Sequence, residues 1–268
     1  MPSWLVVGAA RGIGFEFVKQ LSATPTNKVV GIIRSQKTAD EINALAKQNS
    51  NVHVIEADVF DVESLRGAVA KVEKFTDGKL DVLIYNAYSI GTPETMMLSP
   101  TQLTGKETAL YAEINEAVKG NILGPMLAIN ACLPLIRKGS EKKIVYITSG
   151  AGDVDMTRIS RLTGQIGYAA SKAGGNVIIA KYAGELYEEG IKTLSLSPGW
   201  VETPATSTLT DPAIMAYLME TFGRVQPNLR GMIPAEESIS AMLKVIGKLD
   251  METSGAFLSH HGDKQWLD

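Results

Sequence analysis

Seven short apolar runs, at 4–7, 28–33, 52–56, 80–85, 143–148, 191–196 and 255–258, constrain this chain more than any other feature. Their apolar residues are consecutive rather than alternating, which is how strands covered on both faces read. Helical periodicity fills the intervals, over about 12–23, 38–48, 62–75, 104–137, 166–189 and 234–248. Parallel strands need a crossover, usually a helix, so strict alternation predicts a doubly wound parallel sheet. No linker, repeat or low-complexity stretch interrupts the series. Residues 1–268 therefore read as one α/β domain, with seven parallel strands and helices on both faces.

The first strand runs into Gly8-Ala9-Ala10-Arg11-Gly12-Ile13-Gly14 and then into a helix. Glycines there permit a tight bend, close approach of the backbone to a pyrophosphate and close helix-to-strand contact, while the helix N-terminus offers N–H groups and a positive dipole. Bracketed in this way, the turn reads as the nucleotide site of a Rossmann fold. The end of the second strand meets the adenosine ribose, and a free 2′-hydroxyl there wants a carboxylate. This chain instead has Ile33, Arg34 and Ser35, with Arg11 able to lie on the same side. Two guanidinium groups and no carboxylate favour a 2′-phosphate, hence NADP(H). The other reading of Arg34 is a solvated strand end. Asp58 and Val59 follow the third strand, where they either contact the adenine or lead into a helix capped by Asp61. Asn86 and Ala87 close the fourth strand at the ligand-binding edge of such sheets.

Further along, Tyr168-Ala169-Ala170-Ser171-Lys172 places a phenol and an ammonium one helical turn apart on one face. A free tyrosine titrates near ~10, and bringing it near ~7 takes about 4 kcal/mol at roughly 1.36 kcal/mol per unit. A cation about 4 Å away, at an effective dielectric near 20, supplies roughly that much. Tyr168 is thus a candidate proton-transfer group, the alternative being an ordinary amphipathic helix with a solvated Lys. Ser149 ends the fifth strand, where its hydroxyl can donate to a carbonyl oxygen. Asn121 interrupts an apolar helix face; a buried amide needs partners, so it either bends the helix around a water or bonds incidentally.

Composition narrows the partners. The net charge is -3 and neither sign runs to five in a row, which argues against nucleic acid and anionic membrane surfaces. The longest uncharged stretch, 120–136, carries Asn121, Asn130, Pro125 and Pro134 and reads as a buried helix rather than a membrane span. Met1-Pro2-Ser3 leads straight into a strand, unlike a signal peptide, so a cytoplasmic protein is expected. Cys132 alone can form no internal disulfide, and with His53, His260 and His261 as the only histidines no His/Cys metal cluster is expected. No GxSxG follows a strand and no histidine neighbours Ser149, which argues against a hydrolase.

Taken in order, GxxxGxG at 8–14, Asn86-Ala87, Ser149, Tyr168-x-x-x-Lys172 and Pro198-Gly199-x-x-x-Thr203 resemble the motifs of the short-chain dehydrogenase/reductase family, along the whole chain. The resemblance implies an NADP-dependent oxidoreductase acting on CH–OH or C=O groups. It implies that Tyr168 protonates the carbonyl oxygen as hydride arrives, that Ser149 holds that oxygen, and that Lys172 lowers the tyrosine pKa and binds the nicotinamide ribose. Asn121 would keep a proton-relay water in place. Gly8, Arg11, Gly12, Ile13, Gly14, Arg34, Asp58, Val59, Asn86, Ala87, Pro198, Gly199, Val201 and Thr203 fall where the family contacts its cofactor. General acid catalysis wants a pKa near the working pH, which agrees with the reading of the residues. The chain departs from the pattern at Val7, where Thr is usual, and at Tyr85 and Tyr88, in place of residues of Asn-Asn-Ala-Gly. Nineteen positions separate Ser149 from Tyr168, more than is usual, and the extra residues around 153–164 are expected to overhang the substrate.

The C-terminal stretch from Gly255 through Gly262 to Trp266, together with Arg34, resembles the subgroup of sniffer-type carbonyl reductases and fungal ketoreductases of the norsolorinic-acid type. That subgroup implies secondary metabolism. Residues 203–232 would form a lid. Its Met215, Leu218, Met219, Phe222 and Met232, with Met96 and Met97, suit a bulky apolar or aromatic ketone or the matching alcohol, or else pack the lid and a subunit contact. Apolar faces on the Asn121 and Tyr168 helices suggest a homo-oligomer, dimer or tetramer. A competing reading is a dinucleotide-binding sensor or scaffold with little turnover, which an intact Asn, Ser, Tyr and Lys set disfavours.

Overall fold

In the computed structural model, which describes residues 1–90, 95–204, 206 and 211–268, seven strands form one parallel sheet in the order β3-β2-β1-β4-β5-β6-β9. They are β1 (Ser3–Val7), β2 (Lys28–Ile33), β3 (Val52–Glu56), β4 (Val82–Tyr85), β5 (Lys143–Ile147), β6 (Lys192–Ser197) and β9 (Phe257–Ser259). A separate two-stranded pairing joins β7 (Val201–Glu202) to β8 (Ile233–Pro234). The chain winds outward from β1 to β3, returns to β4 beside β1, and winds outward again. The crevice beyond the carboxyl ends of β1 and β4 is therefore the topological switch point, where open α/β sheets bind ligands.

Both faces are covered, as the continuous apolar runs require. On one face, α3 (Val62–Phe75), α5 (Gly124–Lys138) and α7 (Ile166–Glu185) bring Val72, Ile129 and Ile179 against Leu5, Val30 and Tyr85. On the other, α1 (Gly12–Ser22), α2 (Asp40–Gln48) and α9 (Ala235–Lys248) bring Phe17, Ile42 and Met242 against Val6, Ile84 and Leu194. Burial of these two apolar layers is the main term that holds the sheet together. At the amino ends of the strands, the Asp81 carboxylate accepts from the N–H and Oγ of both Ser3 and Ser140, at 2.7 to 2.9 Å. The strand β4 begins at Val82 rather than at Leu80, whose N–H donates to the Leu135 carbonyl at 3.0 Å.

The expected helix over 104–137 is not continuous. It consists of α4 (Glu107–Val118), a π-helical turn at Lys119–Leu123, and α5. A π turn leaves carbonyls that the regular ladder would have used. Two buried phenols take them: Tyr85 donates to the Gly120 carbonyl at 3.2 Å and Tyr146 to the Asn121 carbonyl at 3.0 Å. Glycines make the room, since a β-carbon on Gly124 would lie 2.0 Å from the Tyr85 hydroxyl and one on Gly175 would lie 2.6 Å from that of Tyr146. By length and composition the run Glu107–Lys138 is apolar enough to cross a membrane. Here the apolar side of α5, including Ala128, Ile129, Cys132 and Ile136, packs in the core.

Two further helices occupy segments expected only to overhang the site: α6 (Val154–Ser160) and α8 (Pro212–Gly223). Asp153 and Asp211 cap them, accepting from the N–H groups of Met156 and Ala213. Smaller differences lie at element ends. A 3-10 turn at Gln36–Thr38 precedes α2, α7 gives way at Glu185 to a turn at Tyr187–Glu189, and the last strand starts at Phe257.

Candidate active site

The glycine turn is built to be approached closely. Gly8 and Gly12 adopt φ values of 85° and 57°, and a β-carbon on Gly14 would lie 2.1 Å from the Gly8 carbonyl oxygen. Asn86 donates from Nδ2 to that same carbonyl at 2.9 Å, which holds the turn although Val7 brings no hydroxyl. Ala87 lies directly behind, its backbone nitrogen 2.7 Å from where a Gly8 β-carbon would be. Arg11 is exposed at the start of α1 and Ile13 is half-buried. From the opposite wall Thr203 comes within 3.6 Å of a β-carbon placed on Gly12, following Val201 of β7. Thr203 is fixed by its own N–H, which donates to Thr206 Oγ1 at 2.7 Å. Positions 205 and 207–210 of the expected lid lie outside the described residues.

Arg34 follows β2 and is exposed. Asp58 is exposed as well, its carboxylate accepting from the Phe60 N–H at 2.9 Å, while Val59 is buried and Asp61 caps α3 through the Ser64 N–H. Pro198 is anchored by the Ser238 hydroxyl, which donates to its carbonyl at 2.7 Å. Gly199, at φ 85°, leans on the ring of His260, whose Cε1 would lie 2.7 Å from a β-carbon there.

Tyr168 stands in the first turn of α7 and Lys172 one turn later. Gln165, ahead of the helix, is left-handed and provides no cap; Glu113 of α4 substitutes, accepting from the Gly167 N–H at 3.0 Å. This buried carboxylate, 1% exposed, orients the helix that carries Tyr168. Sequence reasoning missed it, and the one signal was a glycine beside the tyrosine: a β-carbon on Gly167 would press on Glu113 at 3.0 Å. Ser149 lies beside the Tyr168 phenol, where it favours the phenolate, and accepts from the Ala151 N–H at 3.2 Å. Asn121 is fully buried in the π turn. Its Nδ2 donates to the Ser89 carbonyl at 2.7 Å and to Ser171 Oγ at 2.9 Å, and its Oδ1 accepts from the Ser89 N–H at 3.2 Å. The amide is thus committed to protein partners, and the Asn121 carbonyl already receives Tyr146.

Lys172 is 2% exposed. Its Nζ donates to the Ile147 carbonyl at 2.8 Å and lies 4.7, 5.7 and 5.8 Å from the ring centroids of Tyr146, Tyr168 and Tyr88. Burial lowers its pKa to about 7. Burial also pushes the Tyr168 phenol well above its ordinary value, against a smaller lowering by Ser149. In the unliganded protein desolvation thus opposes both the phenolate of Tyr168 and the ammonium of Lys172.

An aromatic cluster packs beside Gly150, the residue after Ser149. Met156, Trp266 and Leu267 pack with Trp200, Phe222, Val225, Leu229 and Phe257, with Phe257 stacked on Trp266 at 4.3 Å. Of the residues expected to face a substrate, Leu218 is buried and Met219 is on the surface, while Met96 and Met97 pack on Gly164. Behind Gly199, His260 and His261 share the Asp268 carboxylate at 2.9 and 3.1 Å. Their three ligand-type atoms lie within 4.8 Å of one another, a cluster that sequence reasoning had excluded because it considered histidine and cysteine alone.

The short chain dehydrogenase family model matches residues 3–213. The chain is 47% identical over 269 residues to "Short-chain dehydrogenase/reductase atnB" of Arthrinium sp, and all of both chains is covered. It is 38% identical over 273 residues to "Short-chain dehydrogenase/reductase AacuF" of Aspergillus aculeatus, again over all of both chains. Among solved structures it is similar to an NADPH-bound carbonyl reductase from chicken fatty liver, at 28% identity and a TM-score of 0.77 over 98% of each chain. In fold it is similar to carbonyl reductase Sniffer of D. melanogaster, at 24% identity and a TM-score of 0.78 over 98% of each chain. With its motifs gathered at the switch point of the sheet, the chain belongs to the short-chain dehydrogenase/reductase family of oxidoreductases, which work with a nicotinamide dinucleotide.

Proposed function

We propose that this protein reduces a ketone to an alcohol with NADPH, the proton coming from Tyr168. The observation that carries this reading is the convergence of Ser149 and Lys172 on the Tyr168 phenol, the Lys172 amine 5.7 Å from its ring centre, at the carboxyl edge of the sheet that we read, with the glycine turn, as one dinucleotide trough. The residues fit a dinucleotide: Gly14 has no space for a β-carbon, Asn86 holds the turn open, and Thr203 closes over it. When bound, the dinucleotide supplies hydride. Ser149 Oγ and Tyr168 Oη hold the substrate oxygen, Tyr168 releases its proton to it, and Lys172 balances the phenolate left behind. Asn121 positions this pair indirectly, through Ser171, whose Oγ donates to the Tyr168 carbonyl at 2.9 Å.

NADPH rather than NADH rests on Arg34 and Arg11, both exposed, with Ile33 and Ser35 rather than a carboxylate beside Arg34. Trp200, Phe222 and Met156 support a bulky apolar or aromatic ketone. Exposed Tyr111, Leu123 and Val177, on α4, the π turn and α7, support contact between copies of the chain. The reading includes one domain over 1–268, a lid over 203–232 and a cytoplasmic setting. Tyr168→Phe tests it: ketone-dependent NADPH oxidation should fall by about 100-fold or more, while NADPH affinity changes little. Turnover at the original rate would remove Tyr168 as the acid.

A further inference from the structure

We propose that Tyr88 covers Lys172 and must swing aside before a dinucleotide can reach it. The inference rests on the reading of the trough as a dinucleotide site. Tyr88 follows Asn86-Ala87, whose backbone presses on Gly8 of the glycine turn. Its ring meets Tyr168 edge-on at 6.3 Å and 71° and lies 5.8 Å from Lys172 Nζ. The charge of Arg11, on the glycine turn, acts on the same phenol. One residue therefore joins the brace of the glycine turn to the Lys172 end of the site.

The other walls around Lys172 are fixed. Tyr146 is fully buried in β5, bonded to the Asn121 carbonyl and seated against Gly175. The Ile147 carbonyl belongs to the sheet, and Tyr168 to the same helix as Lys172. Tyr88 is 50% exposed, so among these groups it is the wall with room to move. A closed pose of this kind reduces apparent affinity by the fraction of molecules that are open.

Removing the ring should therefore tighten binding. Titration of the purified protein with NADPH and with NADH should give Tyr88→Ala a dissociation constant lower by about threefold or more for both cofactors alike, because the ring meets the part they share. Tyr88→Phe keeps the ring and should match the wild type. A second readout needs no cofactor. The tyrosines facing Lys172, namely Tyr88, Tyr146 and Tyr168, are all raised by burial, so Lys172 is the group of this cluster that titrates below pH 10. Tyr88→Ala admits water to Lys172 and should flatten the alkaline rise in stability of the unliganded protein. Weaker or unchanged binding of both cofactors by a folded Tyr88→Ala, or tightening for NADPH alone, overturns the proposal. Should the wild type bind neither cofactor, the dinucleotide reading fails, and an unflattened alkaline profile then overturns the cover as well.

Discussion

Replacing Lys172 with Met separates the cost of burying a charge from the benefit of having one. Burial lowers the Lys172 pKa from 10.5 to about 7, and no carboxylate contributes to the shift. Between those values the unfolded chain binds a proton that the folded chain has released, so the free energy of unfolding rises as pH rises. At about 1.36 kcal/mol per unit, the wild type should gain about 3 kcal/mol between roughly pH 7 and 9.5 from this residue alone. Lys172→Met keeps most of the apolar stem, removes the titrating amine, and should lose that rise. It should also be the more stable protein at pH 7, though inactive. The assay is urea denaturation of both proteins at half-unit steps across that range, kept below pH 10 so that tyrosines exposed on unfolding stay neutral. Parallel stability profiles for the two proteins would refute the assignment of a near-neutral pKa to Lys172.

The remaining expectations address the trough and the far end of the sheet. Arg34→Ala should weaken NADPH binding by about tenfold or more and leave NADH nearly unchanged, since the lost contact is to the 2′-phosphate; equal loss for both would make Arg34 a solvated strand end. Gly14→Ala places a β-carbon 2.1 Å from the Gly8 carbonyl oxygen, so the turn must open and dinucleotide binding should be abolished in a calorimetric titration. Intact affinity in that variant would show that the turn is not the cradle. For Asp81, burial pushes the carboxyl up, but bonds from Ser140 and Ser3 outweigh it and hold the pKa at about 2 against 3.8. Its contribution is present above the unfolded value and is lost as pH falls between the two, by about 2 kcal/mol. Asp81→Ala should cost about 3 kcal/mol or more at pH 7, by leaving the Ser3 and Ser140 donors unpaired, and should show no such acid loss. An identical acid limb in the variant would contradict this.

The sheet was legible because strands covered on both faces need consecutive apolar residues, and helices between them leave few other topologies. The π turn was not. Its evidence is a pairing across sequence, Tyr85 with Gly124 and Tyr146 with Gly175, and neither member alone departs from an ordinary helix or strand. Tyr85, read as a departure from a family motif, proves to hold one of the carbonyls that the turn releases. The helices α6 and α8 did leave signals, an Asp cap at 153 and Asp-Pro at 211–212, yet both segments had been read only as cover for a substrate. At the site, motif spacing singled out Ser149, Tyr168 and Lys172, and took Lys172 as a cation that acidifies the phenol. The estimate from an ion at 4 Å ignored desolvation, which depends on Tyr88 and Tyr146, residues distant in sequence.

A buried lysine with no carboxylate beside it lowers stability, and the proposed chemistry gives a reason for keeping it that way. A lysine paired with a carboxylate would stay charged whatever the phenol did. Lys172, near neutrality at pH 7, responds to its neighbour. When Tyr168 gives up its proton, a negative charge appears on a ring centred 5.7 Å from Nζ, and at an effective dielectric near 20 that is worth about 3 kcal/mol toward the ammonium. Such a gain would draw a proton onto Nζ as the phenolate forms, so the two groups titrate as a pair rather than singly. The high pKa of Tyr168 and the low pKa of Lys172 are then two expressions of the same buried site, and the desolvation that separates them is offset only when charge passes between them.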